Sequence, residues 1–482
     1  MTSRLIVAHR AISSQRKGTL GASAHALDRP AVLLPRFVRR SALAVHAYRL
    51  LSPIDWAALP ERNLSRNYGQ PTVPYASFVA ACLVKIDQRL VYISDLRRFL
   101  VEHPALCWLL GFPMPACIGC PSSTQADACL PTQRHLTRML QQIPNAYLQA
   151  LLDQTVSLLR AALSDTCPDF GKSISLDTKH IIAWVKENNP KAYQKHSERF
   201  DKSRQPSGDP DCRLGCKRKH NQRSAKESTS TPLKDAVPAK GLRIGEYYWG
   251  YGSGVVATKV PDWGEFVLAE LTQPFNCSDV SYFFPLMADT ERRLGFRPPF
   301  GTLDAAFDAW YVYEYFHQAG GFAAVPLITK GGHKRTFDPG GLPLCKAGLP
   351  MPLKQTFMVR KRVLVPHQKG HYACPLFFPE PTGQACPIDD PHAAKGGCTT
   401  SLATSVGARI RYQLDREAET YKDLYKQRTA TERINAQATA LGIERPKLRN
   451  GAAVANLNTL IYVLINLRAL QRVRTKKQTR SS

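Results

Sequence analysis

The segment Lys172–Ala183 constrains the fold more than any other stretch of the sequence. Ile174 and Leu176 alternate with polar residues, and the apolar run Ile181–Ala183 follows. This period of two predicts a β-strand, with Asp177 in its middle. A carboxylate in a buried strand is costly unless it is paired or bound to a metal. The fold must therefore supply a partner for Asp177.

The elements that follow this strand predict an α/β fold. Downstream, strands and helices alternate, with turn residues and helix caps between them. In order, they are the strands Tyr247–Thr258 and Glu265–Leu271, the helix Asp279–Leu294, the strand Phe300–Asp304, the helix Asp308–Gly320 and the strand Phe322–Thr329. This order favours a mixed sheet covered by helices on both faces.

Changes in composition divide the chain further. Apolar residues at three- and four-residue spacing, as in Tyr75–Ile86, predict a helical N-terminal region, either a helix-turn-helix-like DNA-binding unit or a plain helical bundle. Two polar stretches interrupt the α/β pattern. The predicted segments are a basic flexible tail (1–42), a helical DNA-binding domain (43–165), the first part of the core (170–330) with a solvated insertion (186–239), a cysteine-containing insertion (331–413), C-terminal catalytic helices (414–470) and a basic tail (471–482).

The charge balance points to a polyanionic partner. The 482 residues include 65 Lys and Arg against 38 Asp and Glu, a net charge of +27. Nucleic acid is the first candidate. A membrane is not expected, because asparagines interrupt the apolar stretch Ala452–Leu470, which we predict to be a buried helix. The 13 cysteines follow no signal peptide, which indicates a reducing cytoplasm.

A second pattern lies near the C-terminal end. Tyr425, Arg428 and Glu432 are three and four residues apart, a spacing that places them on one face of an α-helix. A salt-bridged, solvent-exposed helix is the simpler interpretation. Together with Asp177 and Asp304, however, Glu432 gives three carboxylates that are far apart in sequence but placed on adjacent core elements. Such a set can hold two hard cations such as Mg²⁺ for phosphoryl transfer.

These residues resemble the three motifs of bacterial insertion-sequence transposases, the Asp-Asp-Glu superfamily with the Tyr-Arg-Glu signature. The matching phrases are Ser-Leu-Asp177-Thr-Lys, Leu-Asp304-Ala-Ala-Phe-Asp308 and Tyr425-x2-Arg428-x3-Glu432. The likeness spans roughly Ser173 to Leu470. It implies an RNase H-like mixed sheet with flanking helices, preceded by an all-α DNA-binding domain and interrupted by two insertions.

The resemblance also implies roles for individual residues. Asp177, Asp304 and Glu432 are expected to be catalytic and to bind two Mg²⁺ or Mn²⁺ ions. Tyr425 and Arg428 are expected to contact DNA. The family signature continues with a lysine seven positions after the glutamate, where this chain has Thr439, so the nearest basic candidates for DNA contact are Lys447 and Arg449. Asp308 is the alternative second carboxylate, and it also suits a helix N-cap.

Two further clusters leave alternatives open. Four cysteines in the second insertion have no close pair spacing, so they are interpreted either as a structural Zn²⁺ site or as free thiols; they are Cys345, Cys374, Cys386 and Cys398. Three aromatic residues after Asp304 suit either core packing or stacking on a flipped base; they are Trp310, Tyr311 and Tyr313.

The sequence thus predicts a cytoplasmic, nucleoid-associated DNA transposase. The protein would bind the inverted ends of its element in double-stranded DNA as a homodimer, cleave there and join the freed end to target DNA. Two alternatives stay open. One is a DNA-binding protein that lacks catalysis, which Thr439 favours, and the other is a metal-dependent nuclease on the same core.

Overall fold

A computed structural model describes residues 26–59, 73–112, 122–189, 201–218, 245–328 and 335–481. These residues form helices and two β-sheets, a mixed sheet of six strands and an antiparallel sheet of three. The α/β class predicted from the sequence is therefore confirmed. Residues 1–25 of the predicted basic tail and much of the predicted insertion at 186–239 lie outside the described residues.

The segment from residue 43 to about 163 contains the helices that its apolar spacing predicts, and a further short helix lies at Arg36–Arg40, within the segment 1–42 that was predicted to be a flexible tail. The helices are α1 Arg36–Arg40, α2 Ala42–Leu51, α3 Tyr75–Asp87, α4 Ile93–Glu102, α5 Pro104–Leu109, α6 Ser123–Cys129, α7 Gln133–Gln142 and α8 Asn145–Leu163. Ser41, Ser122 and Thr132 begin α2, α6 and α7, because each side chain accepts a hydrogen bond from the backbone N–H three residues later. Such caps satisfy donors that the first helical turn leaves unpaired.

The mixed sheet is built around its central strand, β1. Its strands are β1 Ser173–Ile182, β2 Arg213–Arg218, β3 Gly245–Val260, β4 Gly264–Pro274, β5 Phe300–Leu303 and β6 Phe322–Ala324. The order is β2-β3-β1-β5-β6, and β4 also pairs with β3. β1 runs antiparallel to β3 and parallel to β5, and β6 runs parallel to β5. The predicted hairpin turn between β3 and β4 is present, with Asp262 and Gly264 at positive φ.

The strand β2 corrects one prediction. The stretch 186–239 was expected to be a solvated insertion, but Arg213–Arg218 pairs antiparallel with Gly250–Gly245 of β3. Just before it, Cys212 is fully buried, and the fully buried Asp209 accepts a 2.6 Å hydrogen bond from Tyr251. Charged side chains are common on edge strands, where they block pairing with other chains. The basic composition of β2 therefore resembled that of a loop.

The later helices and the second sheet complete the fold. The helices are α9 Phe283–Leu294, α10 Trp310–Gln318, α11 Val406–Gln413, α12 Glu419–Lys426, α13 Thr429–Ala440 and α14 Gly451–Ser481. As predicted, Gly295 ends α9, in the left-handed conformation at φ 76°. The second insertion contains β7 Leu353–Val359, β8 His367–Ala373 and β9 Thr399–Ala403, which pair antiparallel in that order.

The helix α14 is buried, as predicted for Ala452–Leu470. Among the described residues it is the helix long and apolar enough to span a membrane, yet 89% of its apolar window is buried inside the protein. Its asparagines have internal partners. The Asn456 amide donates to the carbonyls of Leu140 and Ile143 at 2.7 and 2.8 Å, and the Asn466 amide donates to the carbonyl of Val267 at 2.9 Å. These bonds remove most of the cost of burying the amides.

Two hydrophobic cores cover the two faces of the mixed sheet. One contains residues of α1–α8 together with Ile181 of β1, Ile434 of α13 and Leu464 of α14. The other contains Ile174 and Leu176 of β1 with residues of β4, α9 and α10. Each fully buried leucine stabilises the fold by roughly 1.5–3 kcal/mol. The N-terminal helices therefore share one core with α14 and the sheet.

Candidate active site

Asp177 lies in the middle of the central strand and has two partners. It pairs with Val255 across the antiparallel ladder of β1 and β3. Its Oδ1 accepts a 2.9 Å bond from the backbone N–H of Thr178, and its Oδ2 accepts a 3.1 Å bond from Nδ2 of Asn435. Burial, and then the negative charge of Asp304, raises the pKa of Asp177 to about 6. The sheet thus holds this carboxylate where its charge is costly.

Asp304 lies beside Asp177 because β1 and β5 are parallel. Leu176 of β1 pairs with Leu303 of β5. Asp177 and Asp304 are the residues that follow them, so the register brings the two carboxylates next to each other. The Asp304 side chain caps a short 3₁₀ helix by accepting a 2.9 Å bond from the N–H of Ala306. Burial is the main cause that raises the pKa of Asp304 above its ordinary value. The structure thus brings together the first two predicted site residues.

A third carboxylate, Asp279, belongs to the same cluster and was not identified as a site residue from the sequence. It begins a short 3₁₀ helix before α9, and its Oδ1 accepts a 2.8 Å bond from the hydroxyl of Thr178. Its charge helps to raise the pKa values of Asp177 and Asp304. The sequence suggests that Asp279 caps a helix, but Ser278 is the N-cap of the 3₁₀ helix and no side chain caps it. We call Asp177, Asp279 and Asp304 the carboxylate cluster.

Glu432 lies on α13, but its side chain is turned towards Arg428. The Oε1 of Glu432 is 3.7 Å from Nη1 of Arg428, and the Glu432 side chain is 53% exposed. Tyr425 also contacts Arg428, since its hydroxyl oxygen accepts a 3.4 Å bond from Nη1. These contacts bring the three residues together, but the single helix face predicted from their spacing is wrong. They do not share one helix, because α12 ends at Lys426 and Arg428 is the N-cap of α13.

Arg428 is a cation whose charge acts on two members of the carboxylate cluster, Asp177 and Asp304. Its positive charge lowers the pKa values of Asp177 and Asp304 against the larger effect of burial. Burial lowers the pKa of the Arg428 guanidinium, whereas the neighbouring Tyr425 and Asp177 raise it. The net effect is a raised pKa for Arg428. Its Nε is buried and has no hydrogen-bond partner among the described residues. One strong donor of the guanidinium is therefore left for a ligand.

Asn435 is bound to Asp177 and is a site residue that the sequence did not identify. It is only 9% exposed, and it donates to Asp177 through Nδ2. Its Oδ1 is buried without a hydrogen-bond partner among the described residues. Asn435 follows Glu432 by three residues and Arg428 by seven, so helical spacing already placed it on the same face. That spacing was the signal available in the sequence.

The site contains oxygen donors that suit a hard divalent cation, but they do not form a complete set of ligands as the side chains stand. Within the described residues, no group of three or more His, Cys, Asp or Glu side chains is arranged so that it could hold a metal ion. The carboxylates of Asp177 and Asp304 and the orphaned Oδ1 of Asn435 supply oxygen donors of the kind that Mg²⁺ prefers. Glu432 would have to leave Arg428 to join them.

Asp308, the alternative second carboxylate, has a structural role. Its side chain is fully buried, and its two oxygens accept bonds of 2.7 and 2.6 Å from Nε and Nη2 of Arg411. The hydroxyl of Tyr313 and the N–H of Ile328 donate to it at 2.8 and 2.7 Å. It does not cap α10, whose N-cap is Ala309. Asp308 is thus fully paired, and Asp304 is the better candidate.

The aromatic residues after Asp304 belong mainly to the core. Tyr313 is fully buried, and Tyr311 packs against the same hydrophobic cluster. Trp310 is partly buried, with its ring 5.2 Å from that of His367 and 5.4 Å from that of Tyr311. Core packing therefore explains Tyr313 without a base-stacking role.

The predicted DNA contacts Lys447 and Arg449 flank an exposed tryptophan. Lys447 Nζ lies 5.8 Å and Arg449 Cζ lies 5.0 Å from the ring centroid of Trp184. Thr439, where the family signature has lysine, donates from its hydroxyl to the carbonyl of Asn435 at 2.8 Å. Lys447 and Arg449 thus lie beside Trp184, in the segment between α13 and α14.

Three of the four cysteines predicted as zinc ligands come close together. The pKa of Cys398 is raised to about 12, first by burial and then by Cys374 and Cys345. Cys345 and Cys398 pack against the same small hydrophobic cluster beside the three-stranded sheet. No contact of this kind is seen for Cys386 among the described residues. The zinc site stays a prediction.

Comparison of the chain with protein-family models, with curated proteins and with solved structures found no match in any of the three. The function proposed below therefore rests on the residues of this chain and their arrangement.

Proposed function

We propose that this chain is a DNA transposase of the Asp-Asp-Glu type, which cleaves DNA at the ends of a mobile element and joins the freed ends to target DNA. One observation carries the proposal. Asp177 on β1 and Asp304, directly after the parallel neighbouring strand β5, both have raised pKa values, and the helix α13 contributes Asn435 and, at its N-cap, Arg428. Desolvated like charges are expected where a cation and a phosphate are to bind.

The arrangement of the sheet supports an RNase H-like core. Three antiparallel strands, β1, β3 and β4, adjoin two further strands, β5 and β6, which run parallel to β1. Helices pack on both faces of this sheet. The two candidate carboxylates are placed at its centre, on β1 and directly after β5. This agrees with the fold that the sequence motifs imply.

The residues of the site have distinct roles in this proposal. Asp177 and Asp304, with Asn435 beside them, would hold Mg²⁺ or Mn²⁺, and Glu432 would complete the set after it leaves Arg428. Two such ions, when bound, supply a Lewis acid for the phosphate oxygens and lower the pKa of a water nucleophile. Arg428 then has its buried Nε and its freed Nη1 to bind a phosphate oxygen.

The two chemical steps are in-line displacements at phosphorus. Hydrolysis at the end of the element breaks a P–O bond and frees a 3′-hydroxyl. That oxygen then attacks a phosphorus of the target strand and displaces the target's own 3′-oxygen, so the number of phosphodiester bonds is conserved in joining. Positioning and charge stabilisation by Arg428 and the carboxylates would supply most of the catalysis. The two ends of the element have to be brought together before they are joined to the target, so we propose a dimer on DNA.

The test is a cleavage and joining assay with DNA fragments that flank the gene, in the presence of Mg²⁺. We expect Asp177→Asn and Asp304→Asn to lower both rates by at least about 100-fold, the scale on which loss of an outer partner already affects metal sites. Asp423→Asn is the matched control, since Asp423 is exposed on α12 and pairs with Lys426 at 2.8 Å. Equal activity of wild type and Asp177→Asn would refute the assignment.

A second candidate function is DNA binding without catalysis. The side chain of Glu432 is paired with Arg428, and Thr439 replaces the lysine of the signature. In this case the chain would bind DNA and neither cut nor join it with Mg²⁺. A nuclease on the same core would cut without joining. Glu432→Gln separates these outcomes from the first proposal, because only a working transposase loses joining when Glu432 is changed.

A further inference from the structure

A basic pocket lies between the N-terminal helices and the segment that follows α13. Its volume is about 230 Å³, and its lining includes four cationic side chains and no carboxylate. Lys85 lies in the last turn of α3 and Arg89 just after its end, and Arg445 and Lys447 come from the segment after α13. Thr439, at the position of the missing signature lysine, also lines it. The pocket thus concentrates positive charge between two parts of the chain.

The cations of this pocket have few internal counter-charges. Lys85 is 7% exposed, and its Nζ donates a 2.7 Å bond to the neutral carbonyl of Leu90. Burial is the main cause that lowers the pKa of Lys85, and the negative charge of Asp95 is among the effects that oppose it. Glu444, which precedes Arg445, pairs instead with Lys179 at 2.7 Å. An anion in the pocket would therefore offset charges that the described part of the protein leaves largely unneutralised.

An exposed aromatic surface adjoins the pocket through Lys447, which takes part in both. Trp184 is 40% exposed, and the cations of Lys447 and Arg449 lie within 6 Å of its ring centroid, at 5.8 and 5.0 Å. Arg449 Nε also donates to the carbonyl of Trp184 at 3.3 Å. Tyr92 lies near the same ring, with 6.3 Å between centroids. We call Trp184, Lys447 and Arg449 the Trp184 surface.

This combination matches the chemistry of an unpaired nucleotide. The exposed part of the indole offers a stacking surface to any base, and the neighbouring cations bind its phosphates. A base within a duplex has its faces covered by its neighbours, so it cannot use such a surface. A duplex would contact only the cations.

We infer that the Trp184 surface and the basic pocket form a binding site for an unpaired nucleotide of DNA, with the base on Trp184 and a phosphate between Arg445 and Lys447. The inference rests on the proposed function for the identity of the polyanion. It does not depend on cleavage, because the site uses none of the carboxylates.

A second tryptophan provides a matched control. Trp263, in the turn between β3 and β4, also lies under two cations, Lys476 Nζ at 5.3 Å and Arg480 Cζ at 4.9 Å from its ring centroid. It packs against the second hydrophobic core, and it does not line the basic pocket. Cation–π contacts alone would make Trp184 and Trp263 equivalent.

The test compares the binding of two labelled DNA fragments by fluorescence anisotropy, a blunt duplex and the same duplex with a short unpaired extension. We expect wild type to bind the extended fragment about 10- to 100-fold more tightly, the scale of one or two base stacks. Trp184→Ala should remove this preference and leave blunt-duplex binding unchanged, whereas Trp184→Phe should keep most of it. Trp263→Ala should behave as wild type.

The cationic half of the site has its own readout. Arg445→Gln with Lys447→Gln should make the slope of log K against log salt shallower by about 0.7 for each lost phosphate contact on the unpaired strand. A preference for the extended fragment that survives in Trp184→Ala would overturn the inference. The proposed function would still stand in that case if wild type cleaves DNA in the assay described above. Failure of wild type to bind either fragment would instead overturn both. Circular dichroism of Trp184→Ala checks that the variant is folded.

Discussion

Asp304 and Asp308 are four residues apart and occupy opposite electrostatic environments. Asp308 is fully buried, and it receives two hydrogen bonds from the guanidinium of Arg411 in addition to those from Tyr313 and Ile328. Asp304 accepts a 2.9 Å bond from the N–H of Ala306 and faces Asp177 and Asp279. One carboxylate is therefore compensated by the fold, and the other is placed among like charges.

This difference indicates what each carboxylate is for. A buried charge with a bidentate arginine contributes to a folded state that needs no ligand. A cluster of like charges, in which the pKa values of Asp177 and Asp304 are raised, costs stability that a bound cation would restore. The carboxylate cluster is thus the part of the molecule that the fold alone does not explain.

The largest expected effect concerns the compensated carboxylate. Asp308→Asn leaves the partly buried guanidinium of Arg411 without its counter-charge, so we expect the free energy of unfolding to fall by about 3–5 kcal/mol. Urea denaturation at neutral pH measures this change. Asp423→Asn, on the exposed surface of α12, should change it by less than about 0.5 kcal/mol. A loss for Asp308→Asn no larger than that of the control would show that Asp308 is not structural.

A smaller effect on the free energy of unfolding is expected at Glu270. This carboxylate is buried like Asp308, but no arginine among the described residues donates a hydrogen bond to it. It accepts hydrogen bonds from the hydroxyl of Thr459 and from Nε2 of Gln149, the latter at 2.7 Å. Burial raises its pKa to about 7. The folded protein therefore binds the Glu270 proton more tightly than the unfolded chain does. The resulting contribution to the free energy of unfolding is complete below the pKa of the unfolded chain, about 4.5, and is lost as pH rises through about 7.

Glu270→Gln should remove that pH dependence. At about pH 4.5 the variant and wild type should have similar free energies of unfolding, and at about pH 8 the variant should be more stable by about 1–3 kcal/mol. Chemical denaturation at several pH values between these limits measures the difference. A variant less stable than wild type at pH 8 would show that Glu270 is ionised in the folded protein and stabilised there.

The local part of the fold could be predicted from the sequence. Alternation gave β1, β3 and β4, and helix caps and apolar spacing gave α3, α9 and the buried α14. The strand β2 could not be predicted, because its pairing with β3 depends on a partner distant in sequence. Its basic residues satisfy the requirements of a sheet edge and those of a solvated loop equally well.

The candidate site could be predicted only as far as local rules reach. The convergence of Asp177 and Asp304 follows once their strands are taken as parallel neighbours, and the contact of Glu432 with Arg428 follows from helical spacing. The break between α12 and α13, across which Tyr425 contacts Arg428, was not predicted. The contribution of Asp279 depends on how its 3₁₀ helix packs against β1, which no local pattern encodes. The orientation of the Glu432 side chain depends on whether Arg428 or a cation at the carboxylate cluster binds it, which the local sequence does not encode either.

The most direct test of the central claim is the binding of Mn²⁺ in the presence of flanking DNA, measured by electron paramagnetic resonance. If the carboxylate cluster is a metal site, wild type and Asp423→Asn should bind Mn²⁺ with equal affinity, and Asp177→Asn and Asp304→Asn should each bind it at least about 100-fold more weakly. Circular dichroism checks that each variant is folded. Undiminished Mn²⁺ binding by both Asp177→Asn and Asp304→Asn would contradict the account.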